Sequence, residues 1–298
     1  MLRRRLRLAP GPVLAAGALA PLAATVALPP GRRRQAAVCV LNMWAYLAAY
    51  EMPNDDPEAL RARVRVAYPI AIDTALGLGA TPTIRLQRAF ARPGAINRFE
   101  RVLVWCHWLW FLVPHASVIY VLVREPDRAV AAAARMYAVF DLGAVFYWTI
   151  PTAPPWWAAS QGRLEGAEHL HVRRMMIEYG EQFWGSRWGG LYSVLGGNPL
   201  AAMPSLHFAT SLMAAHLLSE VGPVAGAIGW AYAATLGLAL VYLGEHYAAD
   251  LLAGAGLTEG VRFTASRLEP ARQRARATRR SPLGRGRRAW TRLQLGGG

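Results

Sequence analysis

The sequence predicts an all-α polytopic membrane protein. Three observations carry the prediction: 54% of its 298 residues are hydrophobic, only 17% are charged, and the apolar residues gather in runs close to the length of a bilayer crossing. A soluble domain normally carries about 25% charged residues, so the deficit identifies lipid as the solvent for much of the chain. A spanning helix takes about 20 apolar residues, and 35–51, 102–123, 129–150, 201–220 and 221–243 approach that length. A shorter run, 245–261, follows at once, which gives a six-helix transmembrane core. Residues 13–28, rich in Ala, Leu and Pro behind the Arg3–Arg7 cluster, superficially resemble a signal peptide. Because several spans follow, they are read as a candidate additional N-terminal membrane segment. Residues 64–81 are apolar but carry Pro69, Asp73 and several glycines, which suits a membrane-surface or re-entrant piece better than a crossing.

The expected organisation is a basic N-terminus over 1–34, a membrane-embedded domain over 35–262 and a basic, disordered tail over 263–298. The net charge is +15 and every basic residue is arginine. Arginine flanking apolar spans is topology information held at the cytoplasmic face, so nucleic acid is not an expected partner. Fixing the tail inside and counting back puts the long loops 52–99 and 151–200 outside, together with the starts of 201–220 and 245–261. The chain is therefore expected in the cell membrane as a multi-pass protein with an extracytoplasmic active site. Cys39 and Cys106 lie in apolar runs, which leaves no disulfide framework and no zinc site of the paired-cysteine type. Glu165, Glu168, His169 and His171 cluster in the second long loop, but their spacing matches no zinc signature. No metal and no cofactor is expected.

Two constellations carry chemistry. In Met203-Pro204-Ser205-Leu206-His207 an outward loop enters a helix. Pro204 suits a first helical turn, whose free amides and dipole form an anion site; Ser205 adds a hydroxyl, and His207 sits where it protonates a departing oxygen. Read alone, His207 is more readily an interfacial histidine held by hydrogen bonds. In Tyr242-Leu243-Gly244-Glu245-His246-Tyr247-Ala248-Ala249-Asp250 the second entrance places His246 and Asp250 four residues apart. On a helix they share a face, so the carboxylate holds one ring nitrogen and frees the other to attack. A metal half-site or a plain polar contact stays open for that pair. Its weight comes from recurring on the membrane face that carries His207, one helical hairpin away.

The pairing of Pro-Ser-Leu-His with Tyr-Leu-Gly-Glu-His-x-x-x-Asp resembles the type-two phosphatidic-acid phosphatase superfamily over roughly 35–262. The segment Pro151-Thr152-Ala153-Pro154-Pro155-Trp156-Trp157 resembles its inositol phosphorylceramide synthase-like (inositolphosphotransferase-like) branch. The resemblance implies that His246 is the nucleophile, Asp250 its orienting carboxylate and His207 the acid. It implies a membrane phosphatase or phosphotransferase that acts on a lipid-linked phosphate through a phosphohistidine, with water or an alcohol as acceptor. The contrasting reading is a non-enzymatic lipid carrier or scaffold with structural histidines. Two departures stand out: Ala239 and Leu240 replace the Ser-Arg that opens the third motif, and the first-motif look-alike Arg85…Arg92-Pro93 lies two spans too early.

Phosphate clamps are therefore sought in the loop containing Arg163, Arg173, Arg174 and Arg187, since a guanidinium binds phosphate oxygens in pairs. Ser205, Arg174 and Arg163 are the expected substrate-binding residues. Arg174 is preferred because the Met175–Trp184 pattern that follows suits a helix at the membrane surface. Trp156, Trp157, Trp184 and Trp188 suit either a headgroup pocket or an interfacial aromatic belt. His107, His115, Arg135 and Asp141 are ionisable groups at membrane depth, read as a structural network between helices.

Overall fold

The computed structural model describes residues 9–92, 94–164, 172–195 and 197–280, with side chains described outside 193–195 and 269–280. Among these residues the regular structure is helical, apart from isolated bridges that join Thr152 to Arg65 and to Ala201. The α-helices run α1 Pro10–Ala27, α2 Arg32–Glu51, α3 Pro57–Arg63, α4 Ala67–Leu76, α5 Pro82–Phe90, α6 Arg98–Leu109 and α7 Val113–Arg124. They continue as α8 Ala129–Thr149, α9 Pro155–Ser160, α10 Met175–Trp184, α11 Trp188–Leu195, α12 Leu206–Ser219, α13 Pro223–Tyr242 and α14 Ala248–Arg280.

Among the described residues three helices, α1, α8 and α13, are long and apolar enough to cross a membrane. Their outward residues fit that setting: Leu19, Leu22 and Val26 on α1, Leu142 and Val145 on α8, and Val224 and Ile228 on α13 are all exposed. A water-soluble chain rarely displays such continuous apolar faces. The N-terminal segment expected over 13–28 is thus a qualifying helix, α1. The span expected over 35–51 forms α2, but Arg32–Arg34, Gln35 and Asn42 keep it outside the qualifying set.

The span expected over 102–123 is two helices, α6 and α7, bent by 58° at a short break. An Asn97/Glu100 capping box starts α6, which satisfies free amides at the helix entrance. Turn hydrogen bonds at Trp110–Leu112 end it, and α7 restarts with Pro114 in its first turn. The span expected over 201–220 begins late, at Leu206. Its 14 residues cover about 21 Å at 1.5 Å each, short of the roughly 30 Å hydrocarbon core. Residues 64–81 hold a ten-residue helix, α4, also short of that thickness.

Where apolar side chains face lipid, association depends on close contact more than on the hydrophobic effect. The α12–α13 hairpin shows the device, because a Cβ at Gly229 would lie 2.8 Å from the Ala215 Cα. Polar groups add cross-links. Arg135 places its two Nη atoms on the Glu220 carboxylate at 2.5 and 2.8 Å, and Asn42 donates to Asp141 at 3.2 Å. His115 stacks on Phe140 with ring centroids 5.8 Å apart.

The chain divides into Met1–Thr258 and Glu259–Gly298, four residues before the boundary expected at 262. The disordered tail expected from 263 is helical as far as Arg280. An Arg262–Glu259 ion pair and Arg267 set over the Phe263 ring belong to this second unit. The rest of the tail, Arg3–Arg7 and the cluster Glu165, Glu168, His169 and His171 lie outside the described residues.

Candidate active site

The loops that carry the two expected motifs are tied together through the backbone. Ser205 N–H donates to the Asp250 carbonyl at 3.0 Å, a direct link between them. The Pro151–Trp157 segment adds a strap. Thr152 N–H donates to Leu200 O, Ala202 N–H to Thr152 O and Trp156 N–H to Gly244 O, at 3.0, 3.2 and 3.1 Å. Pro151 and Pro154 suit this task, since a fixed φ and a missing donor keep a chain extended, and Pro155 then opens α9.

The second motif is a turn followed by a helix. Glu245 and His246 donate back to the Leu240 carbonyl at 3.0 and 3.1 Å. Gly244 has φ +74°, and a Cβ there would meet Val172 Cγ1 at 2.4 Å, so both backbone and space require glycine. His246 lies two residues before α14 rather than on one helical face with Asp250. The pair still meets because Asp250 occupies the first turn and folds back over the helix end. Its Oδ2 accepts from Tyr247 N–H at 2.9 Å and lies 3.3 Å from His246 Nδ1.

His246 Nε2 is in turn 3.1 Å from His207 Nδ1, with the rings 5.2 Å apart at 61°. The three groups form one hydrogen-bonded chain. With Nδ1–H of His246 on the carboxylate, its Nε2 carries the lone pair and accepts from His207 Nδ1–H. Asp250 is fully buried and His246 is 4% exposed, while His207 is half-buried.

A cavity of about 110 Å³ opens on these rings, room for several water-sized groups. His207 and His246 line it with His107 and Trp108 of α6, Trp156 of α9 and Trp188 of α11. Glu245 and Tyr192 also line it. Burial pushes the Glu245 carboxyl upward, while Arg174 and His246 pull it down.

The expected binding residues separate. Arg174 sits against the cavity wall: its guanidinium stacks 3.7 Å from the Trp156 centroid, donates to Tyr192 Oη at 2.7 Å and lies 4.0 Å from Glu245 Oε1. Ser205 is wholly buried, and its Oγ caps α12 by accepting from Phe208 N–H at 3.3 Å. Pro204 precedes that cap instead of starting the helix, and its carbonyl accepts from Tyr147 Oη at 2.8 Å. Arg163 and Arg187 are exposed, and neither lines the cavity. Arg173 is bound to Glu178 at 2.5–2.8 Å and to the Arg92 carbonyl. Arg85 of the first-motif look-alike donates to the Leu78 carbonyl at 2.8 Å. The tryptophans divide as well: Trp156 and Trp188 line the cavity, Trp157 packs on the cluster of Leu60, Ala153 and Leu200, and Trp184 is partly exposed.

Three further residues hold the site from α4 and α5. Thr83 Oγ1 donates to the Val241 carbonyl at 3.0 Å and Gln87 Nε2 to the Tyr242 carbonyl at 2.8 Å, which satisfies the open end of α13. Asp73 accepts from the Ala248 and Ala249 amides at 3.0 and 2.8 Å, and so caps α14. Burial pushes the Asp73 carboxyl up to about 6; the two amides oppose this, and the nearby Asp250 charge adds to it. These partners are 155 to 176 residues apart in sequence, so no local pattern announces them.

A family model described as PAP2 superfamily matches residues 70–261. No curated protein and no solved structure matches the chain.

Proposed function

We propose, from the premise that the chain belongs to the PAP2 superfamily, that it is a membrane phosphatase or phosphotransferase acting on a lipid-linked phosphate through a phosphohistidine at His246. The observation that carries this reading is the unbroken chain Asp250–His246–His207 at the cavity. A nucleophile held by its orienting group, with an acid within reach of the reacting atom, is the arrangement covalent catalysis requires.

The steps follow from the atoms present. Asp250 fixes the His246 tautomer and keeps the Nε2 lone pair toward the cavity. The 3.1 Å contact between His246 Nε2 and His207 Nδ1 leaves no room for phosphorus between them, so an entering phosphate displaces His207 from that contact. Nε2 attacks phosphorus, the bond to the leaving oxygen breaks, and His207 gives that oxygen its proton. The acceptor, water or an alcohol, then loses its proton to His207 as it attacks the phosphohistidine, and His246 is regenerated. Arg174 steadies the phosphate oxygens, and Ser205 contributes by capping the helix that carries His207.

In this reading α2, the α6–α7 pair, α8, α12, α13 and α14 form a six-helix core, α1 is an additional membrane helix, the cavity opens on the extracytoplasmic face and the arginine-rich tail is cytoplasmic. The Pro151–Trp157 strap is what supports placement in the inositol phosphorylceramide synthase-like branch. The test is turnover of labelled phosphatidic acid and isoprenoid phosphate by purified, membrane-reconstituted protein. The His246→Ala variant is expected to lose at least about 10⁴-fold of the activity. Equal turnover by the two proteins would leave a carrier or scaffold as the better reading.

A further inference from the structure

We infer that His107 is a third imidazole of the site, one that touches substrate by donating its ring N–H to a peripheral oxygen of the phosphoryl group. This rests on the reading of the cavity as a phosphoryl-transfer site.

His107 is 5% exposed, and neither Nδ1 nor Nε2 has a hydrogen-bond partner among the described residues. Buried polar groups are nearly always paired. A structural histidine keeps its place through at least one such bond, and this one has none. It lines the same cavity as His207 and His246, with its ring centroid 4.8 Å from that of His207 at 32°.

The backbone holds the ring in this position. His107 occupies the last turn of α6, where its carbonyl accepts from Trp110 N–H at 3.1 Å. The adjacent Cys106 packs against Leu236 and Leu240 of α13. Trp110 also packs on His207, its ring centroid 4.1 Å away, with its Nε1 bonded to Thr210 Oγ1 at 2.8 Å. His207 thus contacts two rings from the C-terminal end of α6, His107 and Trp110.

The chemistry leaves a place for such a group. In an in-line transfer the nucleophile and the leaving oxygen occupy the two ends, and charge spreads over the three peripheral oxygens. His246 and His207 serve the two ends. The peripheral oxygens need fixed donors in a site shielded from water. Arg174 adjoins the wall formed by α9 and Tyr192, and His107 supplies a donor from α6. An imidazole has at least one N–H in either protonation state, so this donor persists whichever form the ring takes. No bond to His107 forms or breaks.

The experiment compares His107→Phe, His107→Gln and His246→Ala with wild type, each reconstituted and checked by thermal melting. It reads kcat/KM on a labelled lipid phosphate and inhibition by orthovanadate. Removal of an oxyanion donor lowers rates by about 10²–10³-fold. His107→Phe is expected to lose that much kcat/KM and to weaken orthovanadate inhibition at least about tenfold, while the amide N–H of His107→Gln retains part of both. If His107→Phe does not fold, His107→Met gives the same test, because it fills the space without a donor. A folded donor-less variant with wild-type kcat/KM and wild-type orthovanadate inhibition would overturn the inference, with His246→Ala inactive in the same assay. If His246→Ala also turns over normally, the phosphoryl-transfer reading falls first and this inference falls with it.

Discussion

Two groups of ionisable side chains lie among the helices, and they are built in opposite ways. Around α8, Arg135 is bound to Glu220 and Asp141 to Asn42. Asp141 and His115 border an apolar cavity of about 890 Å³ between α2, α7 and α8. At the other group, among the described residues, His107 has two unpaired nitrogens, Asp250 Oδ1 and Glu245 Oε1 have no hydrogen bond, and the shared cavity is far smaller. The first group takes its partners from the neighbouring helix. The second leaves atoms unpaired at its cavity. Among the described residues the two groups differ in degree: one buried side-chain atom of the first, Arg135 Nε, lacks a hydrogen bond, against four in the second.

The sharpest way to break this comparison, short of removing the nucleophile, is Asp250→Asn. The side chain keeps its shape but no longer fixes the reactive tautomer of His246. Loss of an equivalent orienting carboxylate costs about 10³–10⁴ in kcat, and a loss of that size with near-normal KM is the expected result. A variant within tenfold of wild type would show that the Asp250–His246 contact is merely structural.

A smaller effect is expected at Asp73, which touches no substrate but sets the start of α14. Removing a group that orients a reactive residue typically costs about 10–100-fold, and Asp73→Asn is expected to fall in that range of kcat. Its pH signature follows from the raised pKa. The carboxyl rises from 3.8 to about 6 in the folded protein, so the native state favours the protonated form. That contribution is complete below 3.8 and is lost as pH rises through about 6. The variant cannot titrate there. The melting temperature of wild type minus that of Asp73→Asn should therefore decline between about pH 4 and pH 7. A difference independent of pH would remove Asp73 from the account.

The smallest effect is expected in the other group. Arg135→Leu breaks a partly exposed ion pair and should change stability by about 1 kcal/mol or less, with kcat/KM within about twofold of wild type. A large loss of activity in a stably folded Arg135→Leu protein would erase the distinction between the two groups.

The same contrast explains what the sequence discloses. Spans 129–150 and 221–243 are realised as α8 and α13 almost to the residue, because each is a long apolar run with clear ends, such as Gly222-Pro223. The run 102–123 looks continuous in hydropathy yet breaks at Trp110–Leu112, where bulky apolar residues conceal a turn and Pro114 is the lone sign. The 201–220 run misleads because Ala201–Ser205 is largely apolar but non-helical, with Ala201 drawn into the bridge with Thr152. His207, His246 and Asp250 are legible because their loops carry compact motifs. Asp73, Thr83, Gln87 and His107 are not, since their roles arise from contacts between segments distant in the chain.

The most direct test of the central claim is chemical trapping. Reconstituted protein is mixed with phosphate-labelled lipid substrate, quenched within one turnover and mapped by peptide. An acid-labile, base-stable label on His246, absent from His246→Ala, is the predicted result. Full turnover with no label on His246, or an acid-stable label on another residue, would contradict it.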